Sequence, residues 1–201
     1  DHSNPTDKPM IWLDGLDIPT VRHFDASFAE KWPEKQYPES VPPGDSLARY
    51  GRNLRPISGS TADRRPKHQP LFHYPYAQWR PALDALAASA ETDPHLGHAL
   101  EFLNPADGGA IMPTISAHVR LLPAGFATRP RRSTDGTVFV VVEGEGSAII
   151  DGVTIPLTPR KIVAAPSWRS VEFKADTPLV LFGFSDKTAQ EKLHLYKEDC
   201  A

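Results

Sequence analysis

From about residue 98 to residue 186 the chain runs in short stretches of apolar and polar residues, each closed by a turn signal. Leu100–Leu103 alternates. Ile115–Leu122 follows and stops at Pro123-Ala124-Gly125. Thr137–Glu143 is a β-branched run broken by Gly144-Glu145-Gly146. Ser147–Ile150 and Val153–Leu157 flank Asp151-Gly152, a dipeptide suited to the tight hairpin turn because both positions tolerate positive φ. Lys161–Ala165, Ser170–Phe173 and Leu179–Phe184 complete the set. At least seven short strands, with turn signals every 8 to 12 residues, predict an all-β antiparallel sandwich or barrel.

The first half reads differently. Pro9–Val21 alternates imperfectly, and the pattern predicts a strand over Ile11–Asp14 with a turn at Gly15. Phe24–Lys31 predicts a short helix. Between residues 32 and 70, Pro33, Pro38, Pro42, Pro43, Pro56, Pro66 and Pro70 interrupt any period, so this stretch is expected to be a covering arm, a subunit contact or partly disordered. Its basic residues read as a solvated surface. Pro81–Ala90 is the clearest helix, with a proline near its first turn and alanines and leucines behind it. Glu191–Lys197 predicts a short terminal helix.

Composition narrows the function classes. The 21 prolines in 201 residues argue against a helical bundle, while 40% apolar residues suffice for a core. A formal net charge of -3 gives no electrostatic footprint for nucleic acid or an anionic membrane surface. No run approaches the roughly 18 apolar residues of a membrane span, and the start, Asp1-His2-Ser3-Asn4-Pro5, is too polar for a secretory leader. The single cysteine, Cys200, allows no internal disulfide, which fits a cytoplasmic location. Nucleotide-binding glycine motifs and a nucleophile elbow are absent.

The turns Leu121-Leu122-Pro123-Ala124-Gly125-Phe126 and Glu143-Gly144-Glu145-Gly146, followed by Ala165-Pro166-Ser167-Trp168, resemble a cupin: a double-stranded β-helix, or jelly roll. A metal-bearing cupin carries a His-x-His pair after the first such glycine, two side chains on one strand face, and a third histidine after a later proline. Here Arg131 and Ser133 occupy the pair and Val171 the third position, so no metal is expected in this barrel. His95 and His98, three residues apart, and His118 on a strand read as surface or capping histidines.

Three stretches together resemble the gentisate 1,2-dioxygenase family, with the salicylate and 1-hydroxy-2-naphthoate dioxygenases: Asp1-His2-Ser3-Asn4 with Pro9–Pro19, Leu71–Ala77, and Met112–Thr114 continuing to Ser133–Gly144. The resemblance spans nearly the whole chain and implies the C-terminal half of a bicupin whose first barrel holds ferrous iron on three histidines. It places those ligands outside this sequence, the last just before Asp1, with Fe(II) in the complete enzyme and none in this chain alone. It implies residues 1–22 as the end of the first barrel, 23–97 as a connecting arm and helix, 98–186 as the second, metal-free barrel, and 187–201 as a terminal helix and tail. It assigns His2 to the substrate pocket as a catalytic and substrate-binding residue, and Asp14 as a second substrate-binding residue. The implied reaction is ring cleavage of gentisate to maleylpyruvate, or of a related 2-hydroxybenzoate, with O2, in a homo-oligomer that the family suggests is a tetramer. The alternative is a non-catalytic, degenerate cupin module serving assembly or ligand binding.

Overall fold

The computed structural model describes residues 4, 6–27, 29–35, 38, 40–60 and 69–200. The chain divides into two compact units, residues 1–45 and 46–201. His2 lies outside the described residues.

The first unit differs from its expected strand and helix. Ile11–Asp14 is irregular, and Met10, Ile11, Trp12 and Leu13 are exposed, Ile11 at 85%. A strand needs a neighbour to take up its backbone donors and acceptors, and no described segment pairs with this one. The helix forms earlier than Phe24–Lys31, as α1, Ile18–His23. Pro19 sits in its first turn, where a missing N–H costs nothing. Asp25, at φ 49, turns the chain out of helical geometry.

At the start of the second unit, α2, Asp45–Tyr50, whose first residue closes the first unit, forms inside the proline-rich stretch where no helix is expected. The next helix, α3, Tyr76–Ser89, begins five residues before Pro81 and carries that proline inside it. Arg80 Nε donates to Glu143 Oε1 at 2.9 Å and Tyr76 donates to the same oxygen, tying the helix to the barrel wall.

Ten strands follow among the described residues: β1 (His98–Glu101), β2 (Ser116–Leu122), β3 (Arg131–Ser133), β4 (Thr137–Glu143), β5 (Gly146–Ile150), β6 (Val153–Leu157), β7 (Ile162–Ala165), β8 (Val171–Ala175), β9 (Leu179–Ser185) and β10 (Glu198–Cys200). They form two five-stranded antiparallel sheets, β1-β2-β9-β4-β7 and β10-β3-β8-β5-β6. This is the expected cupin jelly roll, with the β5–β6 hairpin turning at Asp151 (φ 47) and Gly152 (φ 81). The Gly144 turn is a close approach as well: a Cβ there would fall 2.0 Å from the Pro178 carbonyl oxygen. The terminal helix, α4, spans Lys187–Lys192 rather than Glu191–Lys197. His194, at φ 57, ends that segment, and the residues beyond return to pair with β3.

Both faces of the β1-β2-β9-β4-β7 sheet are covered. Val119, Leu121 and Val180 point outward and pack on Leu83 of α3. Leu122, Phe139, Val141, Leu179 and Leu181 point inward and meet Ala148, Leu157, Phe173 and Ala175 from the other side of the barrel. That double burial explains why β2 and β9 lack clean alternation.

Candidate functional site

On the inner face of β2, residues two apart change character along the strand: Ser116, His118, Arg120, then Leu122. Pairing sets Ser116 opposite Ser185, His118 opposite Gly183 and Arg120 opposite Leu181 on β9. One end of the barrel interior is therefore polar. A cavity of about 20 Å³ lies there, lined in part by Arg120, Arg131, Ser133, Asp135, Phe139 and Val171. The three positions that sequence reasoning singled out as former ligand places, Arg131, Ser133 and Val171, converge on this one cavity.

They do not suit iron. Valine has no donor atom, the Arg131 guanidinium has no free lone pair, and a neutral serine hydroxyl is a poor ligand by itself. Among the described residues, no group of three or more His, Cys, Asp or Glu side chains converges as a metal site. Arg131 is committed instead to hydrogen bonds, donating to Tyr196 Oη and to Glu198 Oε2, each at 2.7 Å. Burial pulls its pKa down, but the Glu198 hydrogen bond and the nearby acidic groups outweigh that, and the net shift is upward.

Arg120 is the feature that the sequence reading missed. It is 7% exposed, and its Nε has no hydrogen-bond partner. Its guanidinium carbon stands 5.1 Å from the centroid of the Phe139 ring. Burial, then the charge of Arg131, lowers its pKa to about 10, still high enough to keep it cationic at neutral pH. Asp135 is 6% exposed; its Oδ2 accepts from Thr137 Oγ1 at 3.1 Å, while Oδ1 has no partner. A signal for Arg120 existed: alternation through Ser116–Leu122 puts it on the face shared with His118 and Leu122. Knowing which face is the interior required the fold.

The histidines also differ from expectation. His98 is buried, and its Nε2 lies 3.0 Å from Thr92 Oγ1. His95 does sit in a turn, its backbone N–H donating to Asp93 Oδ1 at 2.8 Å. His118 faces the barrel interior with its Nε2 enclosed and unpartnered. Burial, followed by the charges of Arg120, Arg131 and Lys187, holds its pKa well below the ordinary value. Asp14 lies exposed in the irregular segment of the first unit. A second, open groove of about 730 Å³ in the second unit is bounded by Leu54, Leu71, Trp79 and Phe102, with Arg52 and Arg55 at its edge.

No family model matches the chain. Individual relatives do. The chain is 45% identical over 198 residues to gentisate 1,2 dioxygenase 1 of Aquipseudomonas alcaligenes, covering 98% of this chain and 56% of that protein. It is 30% identical over 201 residues to 5-aminosalicylate 1,2-dioxygenase of Comamonas sp, covering 98% and 52%. This chain is a homologue within the gentisate 1,2-dioxygenase family. It spans about half the length of the curated relatives it matches. Among solved structures, salicylate 1,2-dioxygenase from Pseudoaminobacter salicylatoxidans, crystallised as adducts with gentisate, superposes with a TM-score of 0.81 at 30% identity, over 98% of this chain and 55% of that one. The shared fold of this gentisate dioxygenase homologue is thus that of ring-cleaving dioxygenases of the cupin type.

Proposed function

We propose that this chain is the C-terminal half of a ring-cleaving dioxygenase that acts on gentisate, giving maleylpyruvate, or on a related 2-hydroxybenzoate. The observation that carries this reading is likeness to such enzymes in sequence and fold over 98% of the chain. Gentisate is the named substrate of the 45% identical relative, so it heads the list. The cavity in this barrel is too small for an aromatic acid and has no ligand set for iron. On this reading iron, O2 and the aromatic hydroxy acid bind in the other half of the complete protein, where the family resemblance puts the iron ligands.

In that complete protein His2 lines the substrate pocket. A histidine there can orient a substrate oxygen or carry its proton, because imidazole titrates near the working pH. Asp14 contributes to the same pocket once the other half covers its present exposure. The protein works in the cytoplasm as a homo-oligomer, a tetramer by analogy with the family, and the proline-rich arm suits subunit contacts.

Oxygen uptake and appearance of ring-opened product, measured on the full-length natural protein with gentisate, salicylate and 1-hydroxy-2-naphthoate, test this proposal. Both atoms of 18O2 should enter the product of the preferred substrate. His2→Ala should lower kcat/KM by roughly 10²-fold while iron content stays near that of the wild type. Loss of iron in that variant would make His2 a ligand. No oxygen uptake with any of the three acids, in iron-loaded protein, would favour the non-catalytic module.

A further inference from the structure

We infer that the polar end of this barrel binds one small monovalent anion, of halide to formate size, on the guanidinium of Arg120 and the hydroxyl of Ser133. This inference does not depend on the ring-cleaving reading.

A buried charge that lacks a partner is costly, and proteins rarely leave one so. Arg120 is 7% exposed, yet its guanidinium donates to no described residue, and no carboxylate lies within 4 Å of it. Its contact with the face of Phe139, at 5.1 Å, supplies no counter-charge, and Asp135 and Asp93 attract it only from beyond ion-pair distance. The guanidinium borders a cavity of about 20 Å³. A space of roughly 10–15 Å³ holds one water, so this one takes a single water-sized or slightly larger occupant. An aromatic acid does not fit.

The charges at the cavity decide what that occupant is. Arg120, Arg131 and Arg169 line it, against Asp135 alone. The carboxylates that pair Arg131 and Arg169, those of Glu198 and Asp151, are not part of the lining. Asp135 opposes an anion: its Oδ2 accepts from Thr137, and its Oδ1 is buried without a partner. The anion is therefore expected on Arg120 and on the Ser133 hydroxyl, which also accepts from Arg131 Nη1 at 3.5 Å, as far from the Asp135 carboxylate as the cavity allows. A water would satisfy a donor there without offsetting the charge; an anion does both. Trp168, at φ 62, holds a strained left-handed turn in the loop between Pro166 and Arg169, which line the cavity, and its backbone N–H donates to the Ser133 carbonyl at 2.7 Å. That bond fixes the strand carrying Ser133.

The test uses the full-length natural protein. Thermal midpoints are measured against sodium bromide and sodium formate, with sodium sulfate at matched ionic strength as the reference. A saturable rise with bromide or formate is expected, unchanged in Arg132→Met, whose side chain is exposed on the same strand. Arg120→Met should abolish the rise, because the cation that holds the anion has gone. Should that variant fold poorly, Ser133→Ala is the second probe, with affinity expected to fall roughly tenfold or more, the scale of a hydrogen bond to a charged group. Anomalous scattering from bromide should place one peak between Arg120 and Ser133. A peak in the crystal without saturation in solution would mean an adventitious ion only, and overturns the proposal. No peak at all, or the same rise in Arg120→Met, overturns it too.

Discussion

The two ends of one barrel interior are built from the same strands and solve opposite problems. At one end Leu122, Val141, Ala148, Leu157 and Leu179 close on each other, bordered by Leu181 opposite Arg120, and each of these apolar residues is at most 1% exposed. At the other end Ser116, His118, Arg120, Asp135, Thr137 and Ser185 occupy equivalent inward positions a few residues along the same or adjoining strands. The apolar end gains burial and dispersion with nothing to satisfy. At the polar end some groups pair, as in the 3.2 Å contact between Ser116 Oγ and Ser185 Oγ. But His118 Nε2, Arg120 Nε and Asp135 Oδ1 are buried there without partners. A barrel under selection for stability alone would carry hydrophobic residues at both ends. The polar end holds the Arg131, Ser133 and Val171 positions and, among the described residues, no cluster of His, Cys, Asp or Glu side chains suited to a metal. The apolar end is the fold's anchor, and the polar end is free to serve a ligand.

The largest effect should come from the apolar end. Leu181 is 0% exposed on the inner face of β9. Leu181→Ala should destabilise by roughly 2–5 kcal/mol, transfer and cavity terms together. Urea unfolding of the full-length natural protein measures it. A loss under about 1 kcal/mol would mean that the apolar end collapses around the gap and is not the anchor.

That contrast also marks how far the sequence could be read. Strands with a turn on each side were legible: β4 and β6 run as predicted, and β2, β5, β7, β8 and β9 lie within about two residues of prediction. The register behind the ligand test was legible too, because a period of two fixes that Arg131 and Ser133 share a face. What stayed hidden depends on partners. The three-residue strands β3 and β10 have no period of their own and exist by pairing with each other and with β8. Ile11–Asp14 has a strand's pattern but no described neighbour. Arg120 sits in an almost wholly buried strand, where helix α3 covers one face and the barrel the other. The period of two shows which residues share its face, but not that this face is the interior.

A smaller, pH-dependent effect should separate the ends. Apolar residues do not titrate, whereas His118 is held neutral at the polar end, its pKa well below the ordinary 6.5. Below about pH 6.5 the unfolded chain takes up a proton that the folded chain refuses. The linkage sign is therefore fixed: this contribution favours folding above the unfolded pKa and is lost as pH falls from about 6.5 toward the folded pKa. One such group contributes a slope of at most about 1.4 kcal/mol per pH unit. The urea midpoint of the wild type should fall more steeply from pH 7.5 to pH 5.5 than that of His118→Asn. Equal slopes would mean that water reaches the ring, and that the polar end is open rather than sealed.

The smallest effect should lie at the rim of the polar end, where Arg131 is held by Glu198. Glu198 Oε2 accepts from Arg131 Nη2 at 2.7 Å and from Tyr196 Oη at 2.8 Å. The Arg131 hydrogen bond first, then that of Tyr196, lowers the Glu198 pKa. Its contribution is therefore present above the ordinary carboxylate pKa and disappears as pH falls through the folded value. The Glu198 side chain is 50% exposed, so solvent screens most of the attraction. Glu198→Gln keeps an oxygen to accept both hydrogen bonds and removes only the charge. It should cost roughly 0.2–1 kcal/mol at neutral pH and flatten the acid limb of the stability curve. Its other consequence bears on the comparison. With the counter-charge gone, Arg131 adds to the positive field at the cavity, and the bromide-induced rise in thermal midpoint should grow. Were Glu198→Gln as costly as Leu181→Ala, the rim pair would be holding the barrel together. The polar end would then be as structural as the apolar one, and the division of labour inside this barrel would fail.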